Sequence, residues 1–138
     1  MVLRKLKVDD LKFLLEVRND DSTRKFLEND SVFNYEECLN WFNSKNPLWY
    51  IIEVNNKPVG YIRTNGDEIG CDIHPNYRRN GYAKESYKLI LKKMSTASLW
   101  VFEDNFAKNL YQDLGFKENG DEKIIRNRKY IKMIYNNG

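Results

Sequence analysis

Arg78-Arg79-Asn80-Gly81-Tyr82-Ala83 is the stretch on which the fold turns. It follows a short apolar run ending Cys71-Asp72-Ile73-His74-Pro75. It opens a helical pattern, Tyr82-Ala83-Lys84-Glu85-Ser86-Tyr87-Lys88-Leu89-Ile90-Leu91. A strand, a Gly-containing turn and a helix start together make an anion site. The first amides of a helix have no partner within it. The helix dipole adds partial positive charge there, so a pyrophosphate fits. Gly81 removes a Cβ from the approach and the small Ala83 does much the same, while Arg78, Arg79 and Lys84 add charge.

Upstream of this turn the pattern is that of a meander. Leu48–Val54 reads as a central strand, Asn55-Asn56-Lys57 as a tight turn and Val59–Arg63 as the returning strand. Asn65-Gly66-Asp67 signals a second hairpin, and Glu68–Ile73 is the third strand. Earlier still, Val2–Val8 alternates as a strand, and Asp9 is placed to cap a helix carrying Leu11, Leu14, Leu15 and Arg18 on one face. A short turn is expected from Ser22 or Thr23 through Leu27. Asn34 is placed to cap a helix from Tyr35 to Ser44, which Pro47 closes off. Downstream, the helix after the Gly turn runs to about Met94, and Ser98–Phe102 is a strand. Phe106–Leu114 is a helix ended by Gly115, and two strands flank Asn127, the last being Tyr130–Tyr135. This order predicts one domain over residues 1–138, an α/β fold with a mixed sheet and helices on both faces.

The 138 residues are enough for a single core. Charged residues make up 31% and the formal charge is only +3, with acids and bases interspersed. That is not the dense basic footprint of a nucleic-acid binder. No apolar run approaches a membrane span, and the first seven residues do not read as a signal peptide. These features point to a cytoplasmic protein. Cys38 and Cys71 are isolated and His74 is the sole histidine, so no metal site is expected.

Arg-x-x-Gly-x-Ala after Ile-His-Pro-x-Tyr resembles the acetyl-coenzyme A loop of the Gcn5-related N-acetyltransferases (GNAT). A second stretch, Asp104-Asn105-Phe106-Ala107-Lys108-Asn109-Leu110-Tyr111-Gln112-Asp113-Leu114-Gly115-Phe116, resembles that family's Asn-x-x-Ala-x-x-x-Tyr-x-x-x-Gly-Phe. One departure stands out: the family's Asn falls on Asp104, with Asn105 one place later. Either the helix start is shifted or Asp104 fills the capping role. The resemblance implies the GNAT fold, a mostly antiparallel sheet of about seven strands. It also implies acetyl-CoA as cosubstrate, without a metal. The cofactor would be held by Ile73, Arg78, Arg79, Asn80, Gly81, Tyr82, Ala83, Lys84 and Asn105. Tyr111 falls where the family protonates the departing thiolate, a task suited to a phenol. The backbone near Ile73 would polarise the thioester carbonyl. For amine deprotonation, Glu68 and Asp72 share one face of their strand, with Asp67 as a further carboxylate. His74 is an unneeded base in this family, and Trp100 occupies a position where some relatives carry a Glu.

The N-terminal third, Leu14–Asp20, Thr23–Leu27 and Tyr35–Phe42, resembles the branch that acetylates nucleotide-linked 4-amino-4,6-dideoxy sugars. It implies Arg18, Asn19, Cys38 and Trp41 as substrate-binding residues, with Arg18, Arg24 and Lys25 meeting a nucleotide diphosphate. That branch often has His where this chain has Cys38, so any role of that His does not carry over. Two alternatives stay open: a protein N-terminus, ribosomal protein or polyamine as acceptor, and a CoA-binding module without catalysis. The expected partner is a small-molecule amine, and the expected state is monomer or homodimer.

Overall fold

The computed structural model describes residues 1–137. Its strands are β1 (Val2–Lys5), β2 (Tyr50–Val54), β3 (Lys57–Asn65), β4 (Glu68–Ile73), β5 (Thr96–Phe102), β6 (Lys117–Ile125) and β7 (Arg128–Asn136). Its helices are α1 (Leu11–Arg18), α2 (Asp21–Arg24), α3 (Tyr35–Lys45), α4 (Tyr82–Leu91) and α5 (Ala107–Asp113). The strands form one sheet in the order β1-β2-β3-β4-β5-β7-β6. Only β4 and β5 run parallel; every other neighbouring pair is antiparallel.

The turns follow from residues that tolerate positive φ. Asn55 and Asn56 (φ 53° and 64°) close β2 on β3, and Arg126 and Asn127 (φ 49° and 62°) close β6 on β7. Two adjacent left-handed residues twist a hairpin the way its strands require. Alternation along the strands then sorts side chains onto two faces. Ile52, Ile62, Ile69, Leu99 and Met133 pack with Tyr87, Ile90 and Leu91 of α4. Ile51 and Tyr61 point the other way, into Leu11, Leu14 and Val17 of α1 and Cys38 of α3.

The structure revises several expected boundaries. The first strand ends at Lys5 rather than Val8, because the Asp10 carboxylate accepts the Lys7 amide at 2.8 Å and folds residues 8–10 into a 3-10 turn. Asp9 therefore does not cap α1; the N-cap is Asp10, whose carboxylate is turned to Arg4. The strand expected from Leu48 begins at Tyr50 and is second from the sheet edge, since β1 pairs with its outer side. Helix α4 stops at Leu91, where Lys93 and Met94 tighten into bonds to Ile90 and Leu91 carbonyls. Strand β5 starts two residues early, at Thr96. Helix α3 begins where expected: Asn34 Oδ1 accepts the Glu37 amide at 2.8 Å and Glu37 answers at 3.0 Å, a capping box.

The ladder between β4 and β5 positions the site. It consists of the single pair Glu68↔Ser98. At that end the strands are pinned: the Ser98 amide donates to the Asp67 carbonyl at 2.8 Å and its hydroxyl to Asp67 Oδ1 at 3.2 Å. Beyond it they diverge, and the sheet opens at its centre.

Candidate active site

The gap between the diverging strands is a cavity of about 510 Å3. Cys71, Asp72 and Ile73 of β4 line one wall, Trp100 and Val101 of β5 the other. Ala107, Leu110 and Tyr111 of α5 close one end, and Arg79, Gly81, Tyr82, Ala83 and Lys84 the other. The loop that brings this last group in is built by two left-handed residues, Arg79 (φ 65°) and Gly81 (φ 77°). Gly81 is the N-cap of α4 and carries no side-chain cap. The first amide of that helix to find an internal acceptor is Glu85, which donates to the Gly81 carbonyl at 3.1 Å. Among the described residues, the amides of Gly81 through Lys84 have no backbone or side-chain acceptor, and a Cβ built on Gly81 would meet nothing within 4 Å. A ring of bare amides thus faces open space.

The other loop residues play different parts. Arg78 lines the cavity, but its guanidinium is already engaged by the protein. Its Nε donates to the Ile73 carbonyl at 3.1 Å, and its two terminal nitrogens reach the hydroxyls of Ser22 (2.5 Å) and Thr23 (2.9 Å). It bolts the loop to β4 and α2. The Asn80 side chain turns back onto the carbonyls of Tyr77 (3.0 Å) and Arg78 (3.2 Å) and does not line the cavity. At the far end, Asn105 Oδ1 accepts the Ala107 amide at 2.9 Å, whereas Asp104 pairs with Arg128 at 2.9 Å. The start of α5 is therefore held by Asn105, not by Asp104. Gly115 (φ 102°) ends the helix, and the Phe116 amide returns to the Tyr111 carbonyl at 3.0 Å.

Tyr111 stands at the bottom of the gap. Its hydroxyl accepts from that of Tyr87, 3.4 Å away. Burial raises the Tyr111 pKa, and the Tyr87 hydrogen bond offsets part of that rise. Burial likewise pushes the Cys71 thiol far up, so it is held as a neutral thiol.

A smaller opening of about 180 Å3 shares Arg63, Trp100, Tyr111 and Tyr130 with the large cavity. Glu68, Thr64, Asn65 and Trp49 line its remaining sides. Cross-strand register explains its charge. Tyr61 pairs with Asp72, Arg63 with Gly70 and Asn65 with Glu68, so all six point to the α1–α3 face. Glu68 is exposed at the mouth; Asp72 lies deep, its Oδ2 3.1 Å from Arg63 Nε. A third, apolar pocket of about 250 Å3 adjoins through Trp49 and is lined by Leu14, Leu15, Arg18, Phe33, Glu37, Cys38 and Trp41. Trp49 stands edge-on to Trp41 at 4.7 Å and stacks on Tyr61 at 5.5 Å.

The N-terminal residues singled out in the sequence are largely engaged. Arg18 donates to the carbonyls of Asn29 (2.6 Å) and Ser31 (3.2 Å) and lies 5.1 Å from the Phe33 ring. Desolvation lowers its pKa, and among the described residues it pairs with no carboxylate. The Asn19 amide holds both backbone groups of Phe33, at 2.7 and 3.0 Å. Arg24 reaches the carbonyls of Asn19 and Asp30 and the carboxylate of Asp21, and Lys25 lies over Phe26. Cys38 is buried, and burial raises its pKa. His74 lines neither opening: Nδ1 accepts the Asn76 amide, and the ring stacks near Phe13 at 5.9 Å. Three site residues escaped the sequence reading: Tyr87, Arg63 and Tyr130. Tyr87 and Tyr111 are 24 positions apart and no local spacing couples them. Arg63 did carry a signal, a cation two places after Tyr61 on the inward-facing parity of a strand.

A chain with this open sheet, this loop and this helix matches the Acetyltransferase (GNAT) family model over residues 12–116. The protein belongs to that family and is an acetyltransferase of the kind that takes its acyl group from acetyl-CoA. It is 28% identical over 109 residues to the peptidyl-lysine N-acetyltransferase YjaB of Salmonella typhimurium, covering 78% of this chain and 75% of that one. The fold is shared with ribosomal-protein-alanine N-acetyltransferase from Brucella melitensis (TM-score 0.80, 17% identity, 99% of both chains). It is also shared with yncA from Salmonella typhimurium, solved with its cofactor acetyl-CoA (TM-score 0.81, 17% identity, 100% of this chain and 94% of that one). The residues present suit acetyl-CoA: unpartnered amides and the cations Arg79 and Lys84 at one end for a diphosphate, and a long gap between strands for an extended arm. Among the described residues no group of His, Cys, Asp or Glu is arranged to hold a metal, and no helix is long and apolar enough to cross a membrane.

Proposed function

We propose that this protein transfers the acetyl group of acetyl-CoA directly to the primary amine of a nucleotide-linked amino sugar. The amides of Gly81–Lys84, with Arg79 and Lys84, hold the diphosphate. The main chain at Ile73 orients the thioester, and Tyr111 gives its proton to the leaving sulfur. The observation that carries this reading is the single-pair β4–β5 ladder, which opens the sheet onto Tyr111 from both faces. Acetyl-CoA enters on one side and the amine on the other, and holding the two in line supplies most of the acceleration. Glu68 at the smaller opening and Asp72, which lines the large cavity beside Arg63, are the carboxylates available to the amine's proton.

The acceptor assignment rests on the apolar pocket. Trp41, Trp49 and Phe33 offer flat surfaces to a base or sugar ring, and Arg18 is a half-buried cation without a carboxylate partner. The notion that Arg24 and Lys25 also meet a diphosphate finds no such support, since both are committed locally. A second reading, acetylation of a lysine side chain, is favoured by the likeness to peptidyl-lysine N-acetyltransferases. Incubating the protein and acetyl-CoA with nucleotide-linked 4-amino sugars, lysine peptides and spermidine, and following thiol release, separates them. Turnover of sugars supports the first reading; turnover of peptides alone replaces it with the second.

A further inference from the structure

Arg63 is a half-buried cation with unused donors, and it stands where the two openings meet. Its Nε lies 3.1 Å from Asp72 Oδ2 but is not aligned for a hydrogen bond, and its Nη2 reaches Asp72 Oδ1 only at 3.5 Å. Both Arg63 Nε and Asp72 Oδ2 are shut off from solvent without a hydrogen-bond partner. A guanidinium has five N–H donors, and Asp72 is the sole acceptor found for any of them among the described residues. Yet the Arg63 side chain keeps 35% of its surface accessible, and it lines both openings. Gly70 makes the room, because a Cβ there would sit 2.4 Å from Arg63 Nη2. A guanidinium tethered at Asp72 thus lines both openings together with Tyr111, Trp100 and Tyr130.

We propose that Arg63 is a catalytic residue of the acetyl transfer: its free N–H groups receive the negative charge that builds on the acyl oxygen. The inference rests on the acetyl-CoA-dependent reading above. As the amine lone pair forms the new C–N bond, the carbonyl π pair moves onto oxygen, where the guanidinium holds it. When that pair returns, the C–S bond breaks, sulfur takes the Tyr111 proton, and the nitrogen gives up its extra proton to water or a neighbouring carboxylate. A donor fixed in advance costs no reorganisation at the moment charge develops. Asp72 acts as the tether that aims the guanidinium.

The test needs no acceptor. Titration calorimetry compares acetyl-CoA with S-carboxymethyl-CoA, which puts a carboxylate where the acetyl group would lie. The wild type is expected to bind the carboxymethyl compound at least about tenfold more tightly than acetyl-CoA. Arg63→Gln should remove that preference while leaving the acetyl-CoA Kd within about threefold, and Arg63→Lys should keep part of it. Equal binding of the two compounds by the wild type, or a preference that survives in Arg63→Gln, overturns the role of Arg63 and leaves the acetyl-CoA reading intact. Failure of the wild type to bind acetyl-CoA overturns both. Should Arg63→Gln not fold, Arg63→Lys decides: a reduced preference supports the role of Arg63 and an unchanged one overturns it.

Discussion

The Tyr87 hydroxyl donates to the Tyr111 hydroxyl at 3.4 Å, with the two rings edge to face and their centroids 5.5 Å apart. The direction of this bond matters. Tyr111 accepts from below, so its own proton is left to point into the gap. Burial holds Tyr87 protonated well above ordinary pH, so it remains a donor. Tyr111→Phe should lower kcat by about 10²–10⁴, the range for loss of a general acid, with the acetyl-CoA Kd little changed. Tyr87→Phe should cost about twofold to tenfold, the worth of one neutral hydrogen bond. It should also move the alkaline limb of the kcat profile upward, because the bond that lowers the Tyr111 pKa is gone. A downward move would contradict the assigned donor direction.

Gly81 is under a conformational rather than a packing constraint. Its φ of 77° is costly for an L side chain, yet a Cβ there meets no atom within 4 Å. Gly81→Ala should therefore fold, losing about 1 kcal/mol, which urea unfolding would measure. Its Cβ would stand in the space above the bare amides. Acetyl-CoA affinity should fall by about tenfold or more, a larger effect than the stability loss suggests.

Asp10 fastens the start of the chain. Its two oxygens take Arg4 at 2.8 Å each, and one also takes the Lys7 amide. Burial alone would raise its pKa, but Arg4 and the Lys7 amide outweigh it and the net shift is downward. A lowered folded-state pKa contributes stability above the unfolded value of about 3.9, lost as pH falls through the folded value. Asp10→Asn should cost about 2 kcal/mol at pH 7, less than a fully buried pair because Arg4 is partly exposed. The gap from wild type should narrow below about pH 4. A gap independent of pH would refute the ion-pair origin.

Alkali should unfold this protein through its tyrosines. Burial pushes the Tyr130 phenol up to about 12. A raised folded-state pKa leaves stability intact below the unfolded value near 10, then drains it as pH rises toward 12, because only the unfolded chain can release the proton. Tyr130→Phe should flatten the fall in unfolding free energy over that window. An unchanged slope would place the phenol in a wetter setting than its stacking on Trp100 at 5.6 Å indicates.

The elements that carry the family resemblance were legible because each is local. The strand, Gly81 and α4 are contiguous, and Asn34 with Glu37 spells a capping box within four residues. Boundaries slipped where a distant partner decided them: Asp10 was drawn to Arg4, and β2 found β1 on its outer side. The acceptor side was least legible. Arg18, Asn19 and Arg24 read as ligand-binding residues, but segment 19–33 uses them for its own carbonyls and amides, and only the fold shows that demand. The same applies to Arg78, whose charge in the sequence suggested an anion and whose partners are two hydroxyls and a carbonyl. Arg126 adds a long-range tether, donating to the carbonyls of Leu27 and Glu28 from the β6–β7 turn.

The central claim is that acetyl-CoA lies in the gap between β4 and β5 with its diphosphate on the amides of Gly81–Lys84. Backbone NMR during titration with acetyl-CoA tests it most directly. The account predicts saturable shifts concentrated at Gly81–Lys84 and Cys71–Ile73, reaching Tyr111. Shifts confined to residues outside that gap, or none at all, would contradict it.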